Sequence, residues 1–360
     1  MSVHSIAANC LGGPGAITWA EILQQPTLWL DTLARVNRRI PDGWANFDHV
    51  LLTGAGSSFY AAAAVSVGWG RSVAIPSTDL LVDLPPDLGP GWLAVSLARS
   101  GDSPESVAVI SRIQKHFPEV RHLAITCNGA GSLATMPGVE VIVLDPRTND
   151  RSLTMTSSFS NLVLAGLCLA NTDRISPALE GICSRTESAL DELNAAAQRI
   201  SKTVQGRIAI LASAPLLPVA HETALKILEL TGGLVLTMAE TFVGLRHGPM
   251  SFVQEDTVVL CFLSAEEHRR RYEIDVLVEL RSKGLGRLVA LVSGEADRDL
   301  FDHTIPMSAP DLPDALRSPF EVVFPQMLAF YLGIGVGLNP DNPSPTGVIN
   351  RVVQGVRIYE

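Results

Sequence analysis

One pattern recurs along this chain and restricts its fold more than any other. It is a short apolar run, a turn of glycine and serine, and then a helix-forming stretch. HVLLTGAGSSFYAAAAVSVGW has this form, and GWLAVSLARSGDSPESVAVISRIQKHF repeats it. RHLAITCNGAGSLATMPGVEVIVLD adds two more apolar strands with a loop between them. Apolar strands alternating with helices predict a parallel sheet covered on both faces, since each strand must bury both of its sides. Roughly 160 residues later the scheme restarts. RIAILASAPLLPVAHETALKILEL matches the first unit, DTVVLCFLSAEEHRRRYEIDVLVELRSKG the second, and GRLVALVSG stands where RHLAITCNG stood. The pattern predicts an internal duplication: an α/β chain of two tandem, doubly wound, parallel-sheet domains of flavodoxin-like type, with ligands outside the carboxyl ends of the strands.

The expected boundaries are an N-terminal helical segment over 1–40, a first domain over 41–195, a second over 196–345 and a tail over 346–360. The first segment holds ITWAEILQQPTLWLDTLARVNRRI, helical but interrupted near Pro26. RSLTMTSSFSNLVLAGLCLA and PALEGICSRTESALDELNAAAQRIS read as helices linking the two sheets. With 360 residues, 47% hydrophobic and 18% charged, there is enough apolar surface for two cores. A net charge of −10 argues against nucleic acid or an anionic membrane as partner, while allowing a small anion held by local dipoles. FPQMLAFYLGIGVGL is too short to span a bilayer and reads as a buried helix, and MSVHSIAANC lacks the basic start of a signal peptide. A cytoplasmic protein is expected. The cysteines, Cys10, Cys127, Cys168, Cys183 and Cys261, are scattered without a CxxC pair, which predicts reduced thiols and neither disulfide nor zinc.

LARSGDSPES follows a strand and opens a helix, so unpaired N–H groups and a partial positive charge should face its turn. Ser100 and Ser103 add hydroxyls, and Gly101 permits close approach of a phosphate oxygen. The same stretch also reads as a plain serine cap followed by proline at the first helical position. GAGSSF tips the balance, because it brings Ser57 and Ser58 to the adjacent strand end. The second half offers LSAEEHRRR at the corresponding turn, where Glu266 and Glu267 would repel a dianion. One phosphate site in the first half is therefore expected. GAGSS is not GxGxxG and no Walker loop is present, so a dinucleotide is not indicated.

HETALKILELTGG puts Glu222, Lys226 and Glu229 within an arc of roughly 60° on one helix face. Apolar residues cover most of the rest, the reverse of an ordinary solvated face. Two readings follow: a surface salt-bridge ladder, or charges facing a partly desolvated cleft where a carboxylate can act as a base. Further on, GLRHGP holds His247 beside Arg246 in a turn. Neither His221 nor His247 has a partner at metal-ligand spacing, so no metal or other cofactor is expected.

At these residues the chain resembles the sugar isomerase (SIS) family, more narrowly its galactosamine-6-phosphate deaminase and tagatose-6-phosphate ketose/aldose isomerase group. The isomerase half of glucosamine-6-phosphate synthase is similar at a greater distance. The matching pieces are EILQQPTLW, TGAGSSFYA, ARSGDSPESVAVI, TMTSSFSNLVLA, HETALKILELTGG, GLRHGP and NPDNPSPTGVINRVVQGV, in order along nearly the whole chain. The resemblance implies two SIS domains in a homodimer with shared active sites. It implies that Ser58, Ser100 and Ser103 hold a sugar phosphate, with Ser57 and Arg99 nearby. It carries the enolising base onto Glu229, support onto Lys226 and Glu222, and ring opening onto His247 from across the dimer. Where synthase relatives carry a Schiff-base lysine near the C-terminus, Val348 stands close to that position here. The implied activity is isomerisation of an amino-sugar 6-phosphate with release of ammonia. A fructosamine-type 6-phosphate deglycase and a non-catalytic sugar-phosphate-binding regulator are the alternatives.

Overall fold

The computed structural model describes residues 13–39, 47–292 and 298–359. The opening MSVHSIAANC with Cys10, the 40/41 boundary and the last residues of GRLVALVSG lie outside the described residues. Two helices come first, α1 (Ala16–Leu23) and α2 (Gln25–Arg39). They part at Gln24, two residues before Pro26, which lacks the N–H a continuous helix needs there.

The first sheet follows: β1 (His49–Gly54), α3 (Ser57–Gly68), β2 (Ser72–Pro76), α4 (Ser77–Val82), β3 (Trp92–Ala98), α5 (Pro104–His116), β4 (Arg121–Thr126), α6 (Ser132–Thr135) and β5 (Val139–Val143). All its pairings are parallel, in the order β2-β1-β3-β4-β5. Helix α7 (Ser157–Ser201) then crosses to the other half, bent at Asn171 where φ is −139°. The passage between the halves, position 195/196 included, thus runs inside a helix.

The second sheet contains β6 (Arg207–Ala212), α8 (Leu217–Leu230), β7 (Leu236–Glu240), β8 (Val258–Phe262), α9 (Glu267–Ser282), β9 (Arg287–Val292) and β10 (His303–Pro306). Its order, β10-β9-β8-β6-β7, is the first sheet's order read from the other edge. Each sheet therefore reverses direction between its first and third strands, and a crevice opens there beyond the strand ends. Helices α10 (Ser318–Glu321) and α11 (Val323–Gly335) close the fold; FPQMLAF in α11 is buried. Among the described residues, no helix is long and apolar enough to cross a membrane.

One hydrophobic core runs through both halves, from Trp29 and Val65 through Phe159 to Ile210, Leu260 and Phe324. Helix α3 of the first half packs on α8 of the second. Tyr60 stacks on His221 across that junction, with ring centroids 5.7 Å apart. The first turn of α3 is thereby held against the helix that carries Glu222, Lys226 and Glu229.

Candidate active site

The crevice of the first sheet lies between the turns that follow β1 and β3. Gly56 turns the chain into α3 with φ at +56°, where no side chain would fit the backbone comfortably. Gly101 does the same before α5 with φ at +72°. A Cβ on Gly131 would lie 2.2 Å from the Ser100 carbonyl, so the neighbouring loop also requires glycine. Asn128 donates to the Ser100 carbonyl at 2.9 Å, and Asp102 accepts from the Ser132 amide at 2.8 Å, fixing the turn from the side. Ser103 occupies the N-cap of α5 but makes no side-chain capping bond, so the helix's first N–H groups keep their capacity for a ligand.

A cavity of about 190 Å³ sits at this point. Ser57, Ser58, Arg99, Ser100, Gly101, Ser103 and Glu229 all line it. The residues expected at a phosphate and the expected base, far apart in sequence, thus share one cavity. Lys226 and Glu222 stand behind Glu229, away from the cavity wall. His247 is exposed on a short 3-10 turn, Gly244–His247, and is not brought to the cavity within one chain.

Helix α8 is no solvated ladder. Glu222 is fully buried and Lys226 is 1% exposed, while the Glu229 side chain keeps 21% of its surface. Lys226 donates a hydrogen bond to Glu229 and lies 3.5 Å from Glu222. One ammonium therefore faces two carboxylates. Burial pushes the Glu222 carboxyl up to about 7; Lys226 pulls it down, the Glu229 charge pushes it up, and the Ser57 hydroxyl favours ionisation. Burial works against the Lys226 charge, but Glu222 and Glu229 outweigh it and hold the ammonium above its ordinary value. Of the two carboxyl groups, Glu222 is the one buried away from solvent, and Glu229 is the one that reaches the cavity.

The remaining wall is the part that local sequence patterns did not reveal. Ile349, Asn350, Arg351, Val352 and Val353, from the C-terminal tail, close the cavity from above the first half. Arg351 donates to the Asp150 carbonyl at 2.7 and 2.9 Å and to the Asn149 side chain. Its own carbonyl accepts from Arg99 at 2.8 Å, and Arg99 also donates to the carbonyls of Ser152 and Leu153. The loop that offers these carbonyls is braced by buried Asp150, which accepts from the amides of Thr156 and Ser158, both at 2.8 Å. Glu21 of α1 accepts from the Arg151 amide and the Ser152 hydroxyl. Only the motif NPDNPSPTGVINRVVQGV signalled the tail. Val348 is 84% exposed, outside the cavity wall.

The corresponding turn of the second half is filled by its own side chains. Glu266 caps α9, accepting from the amides of His268 and Arg269 at 2.8 and 2.9 Å. Asp314 accepts from the Ala265 amide, the Ser264 hydroxyl, Arg269 and Arg317. Glu267 pairs instead with Arg271 at the surface. Among the described residues no cluster of three or more His, Cys, Asp or Glu side chains could hold a metal ion, and the described cysteines, Cys127, Cys168, Cys183 and Cys261, are free and buried.

No family model matches the chain. A Streptomyces coelicolor protein provisionally named D-galactosamine-6-phosphate deaminase AgaS is 37% identical over 368 residues, covering 95% of each chain. D-galactosamine-6-phosphate deaminase AgaS of Shewanella sp. (strain ANA-3) is 33% identical, over 95% of this chain and 91% of its own. Among solved structures, a Clostridium novyi protein provisionally named a tagatose-6-phosphate ketose/aldose isomerase superposes with a TM-score of 0.90 at 32% identity, over 96% of each chain. With this likeness running over about 95% of the chain, the protein belongs to the sugar isomerase family, in the group of the galactosamine-6-phosphate deaminases and tagatose-6-phosphate ketose/aldose isomerases.

Proposed function

We propose that this chain is a phosphosugar isomerase and deaminase acting on an amino-sugar 6-phosphate. One observation carries the reading: Glu229, hydrogen-bonded by a buried lysine, opens into the same cavity as two serine turns at helix N-termini. The relatives' printed names, deaminase and ketose/aldose isomerase, agree with that chemistry.

In this reading Ser58, Ser100 and Ser103, with the first amides of α5, bind the phosphate, and Ser57 and Arg99 flank it. The phosphate anchors the open-chain sugar so that C1 and C2 reach Glu229. Glu229 takes the proton from C2 as the C1 carbonyl oxygen gains one, giving an enaminol. The proton returns to C1, leaving an iminium at C2. Water adds there and ammonia departs, which leaves the C2 ketone. Lys226 orients the base throughout, and Glu222 sets the charge behind it.

Ring opening needs a further acid–base group, and His247 is our candidate, supplied by a second copy of the chain. Leu234, Leu236 and Val243 are exposed along the edge strand β7 and the turn that leads to His247. That apolar strip is the surface we assign to the dimer.

The test is production of ammonia and ketose phosphate from galactosamine-6-phosphate and glucosamine-6-phosphate, with deuterium exchange at C2 followed in parallel. Turnover of either, with exchange lost in Glu229→Gln, is the expected result. No turnover and no exchange with both sugars would overturn the reading.

A further inference from the structure

Arg351 has no place in the reaction outlined above, yet it joins three parts of the molecule. Its guanidinium docks on the Asn149–Asp150 segment, where the Asp150 carbonyl accepts from two of its nitrogens. Its backbone carbonyl, on the opposite side, is one of three acceptors for Arg99. Residues on both sides of it line the cavity.

Arg99 is the reason this matters. It is 7% exposed and lines the cavity, and among the described residues its hydrogen bonds go to backbone carbonyls and none to a carboxylate. A buried guanidinium hydrogen-bonded to carbonyl dipoles, with the Asp150 and Glu229 charges nearby but not bonded to it, keeps a fixed geometry and N–H capacity for an anion. Removing one of the dipoles loosens that geometry, because Ser152 and Leu153 both hold the same nitrogen and the Arg351 carbonyl alone holds the other. The same residue thus offers its carbonyl to Arg99 and seats its side chain on the Asp150 carbonyl and Asn149.

We propose that Arg351 is a positioning residue of the anion site: by docking on the Asn149–Asp150 loop it presents its own carbonyl to Arg99, so that the first half's phosphate turn is complete only when the C-terminal tail is seated. The inference rests on the phosphate reading given above and deepens it. Lysine cannot replace this residue fully, since a single ammonium lacks the planar fork that reaches the carbonyl and the Asn149 side chain together.

The protein and its Arg351→Ala, Arg351→Lys and Arg99→Lys variants are titrated with inorganic phosphate by calorimetry, and KM and kcat are measured on whichever of galactosamine-6-phosphate and glucosamine-6-phosphate the wild type turns over. Arg351→Ala is expected to weaken phosphate binding about tenfold to a hundredfold, the range of one charge-assisted hydrogen bond. KM should rise in proportion with kcat changed less than about threefold, and Arg351→Lys should recover part of the loss. Combined with Arg99→Lys, the Arg351→Ala effect should shrink, because both changes break one linkage. Unchanged phosphate affinity in Arg351→Ala overturns the proposal, as does full additivity of the two substitutions or a loss confined to kcat. Failure of the wild type to bind phosphate at all would instead strike the phosphate reading itself.

Discussion

Each sheet places a serine-containing turn after its third strand, and each turn opens a helix, yet the two turns leave different donors unspent. In the first half Ser103 caps α5 without using its hydroxyl, and the amides behind it stay unspent. In the second, Glu266 spends its carboxylate on two amides of α9, and Asp314 takes up the turn's other donors. The cleft beside the second turn is the roomier, about 700 Å³ against about 190 Å³. Free volume therefore does not mark the site. What sets the turns apart is whether the helix terminus still has donors to give, and in the second half Glu266 and Asp314 together use them up.

The two halves also treat carboxylates differently. Asp314, at the second half's turn, is neutralised by Arg269 and Arg317. Those on α8 compete for one lysine and keep one member, Glu229, open to the cavity. The largest test of this contrast is Glu229→Gln, which should lower kcat by about a thousandfold, within the usual span for a general base, while phosphate affinity by calorimetry stays unchanged. A parallel loss of phosphate binding would mean that the two functions are not divided as described.

Next comes the buried carboxyl. The Glu222 carboxyl, near 7 in the folded state, lies above its ordinary value, so the folded protein holds this proton more tightly than the unfolded chain. The stability it contributes is fully present below about pH 4.5 and is lost as pH rises through about 7, a span on the order of 3 kcal/mol. Chemical denaturation of Glu222→Gln across that window should show a flatter pH dependence than the wild type. An unchanged slope would place the proton elsewhere.

Moving the second half's device into the first should close the site. Ser103→Glu is expected to weaken inorganic phosphate binding about a hundredfold by calorimetry with the fold retained, since the new carboxylate would cap α5 as Glu266 caps α9. The reverse change has the smallest effect. Glu266→Ala should lower the melting temperature by about 1–3 °C through loss of the cap, without creating a phosphate site, because Asp314 remains. New phosphate binding in that variant would show that the N-cap alone separates the halves.

Much of this architecture was legible in the chain. The two runs of strand–turn–helix units correspond to two sheets of one strand order, and GAGSSF and ARSGDSPES sit at the crevice where the order reverses. The strands SVAIP, LTMAE and HTIP carry no such local signal. Each lies at a sheet edge and is short and half-exposed, so it lacks the apolar run that marks a central strand.

What the sequence determined by itself is whatever depends on neighbours along the chain: the layer pattern, the two serine turns, and the charged stripe of α8. These rest on backbone geometry and periodicity over a dozen residues, which local composition encodes. Tertiary structure alone decided that Glu222 and Lys226 lose their solvent, since that follows from α3 and α8 meeting across the two halves. It alone returned the tail to the first half, where the Arg351 carbonyl meets Arg99 from 252 residues away. No local pattern records such a meeting, because the acceptors are backbone carbonyls that every residue carries, and only the folded chain aims them.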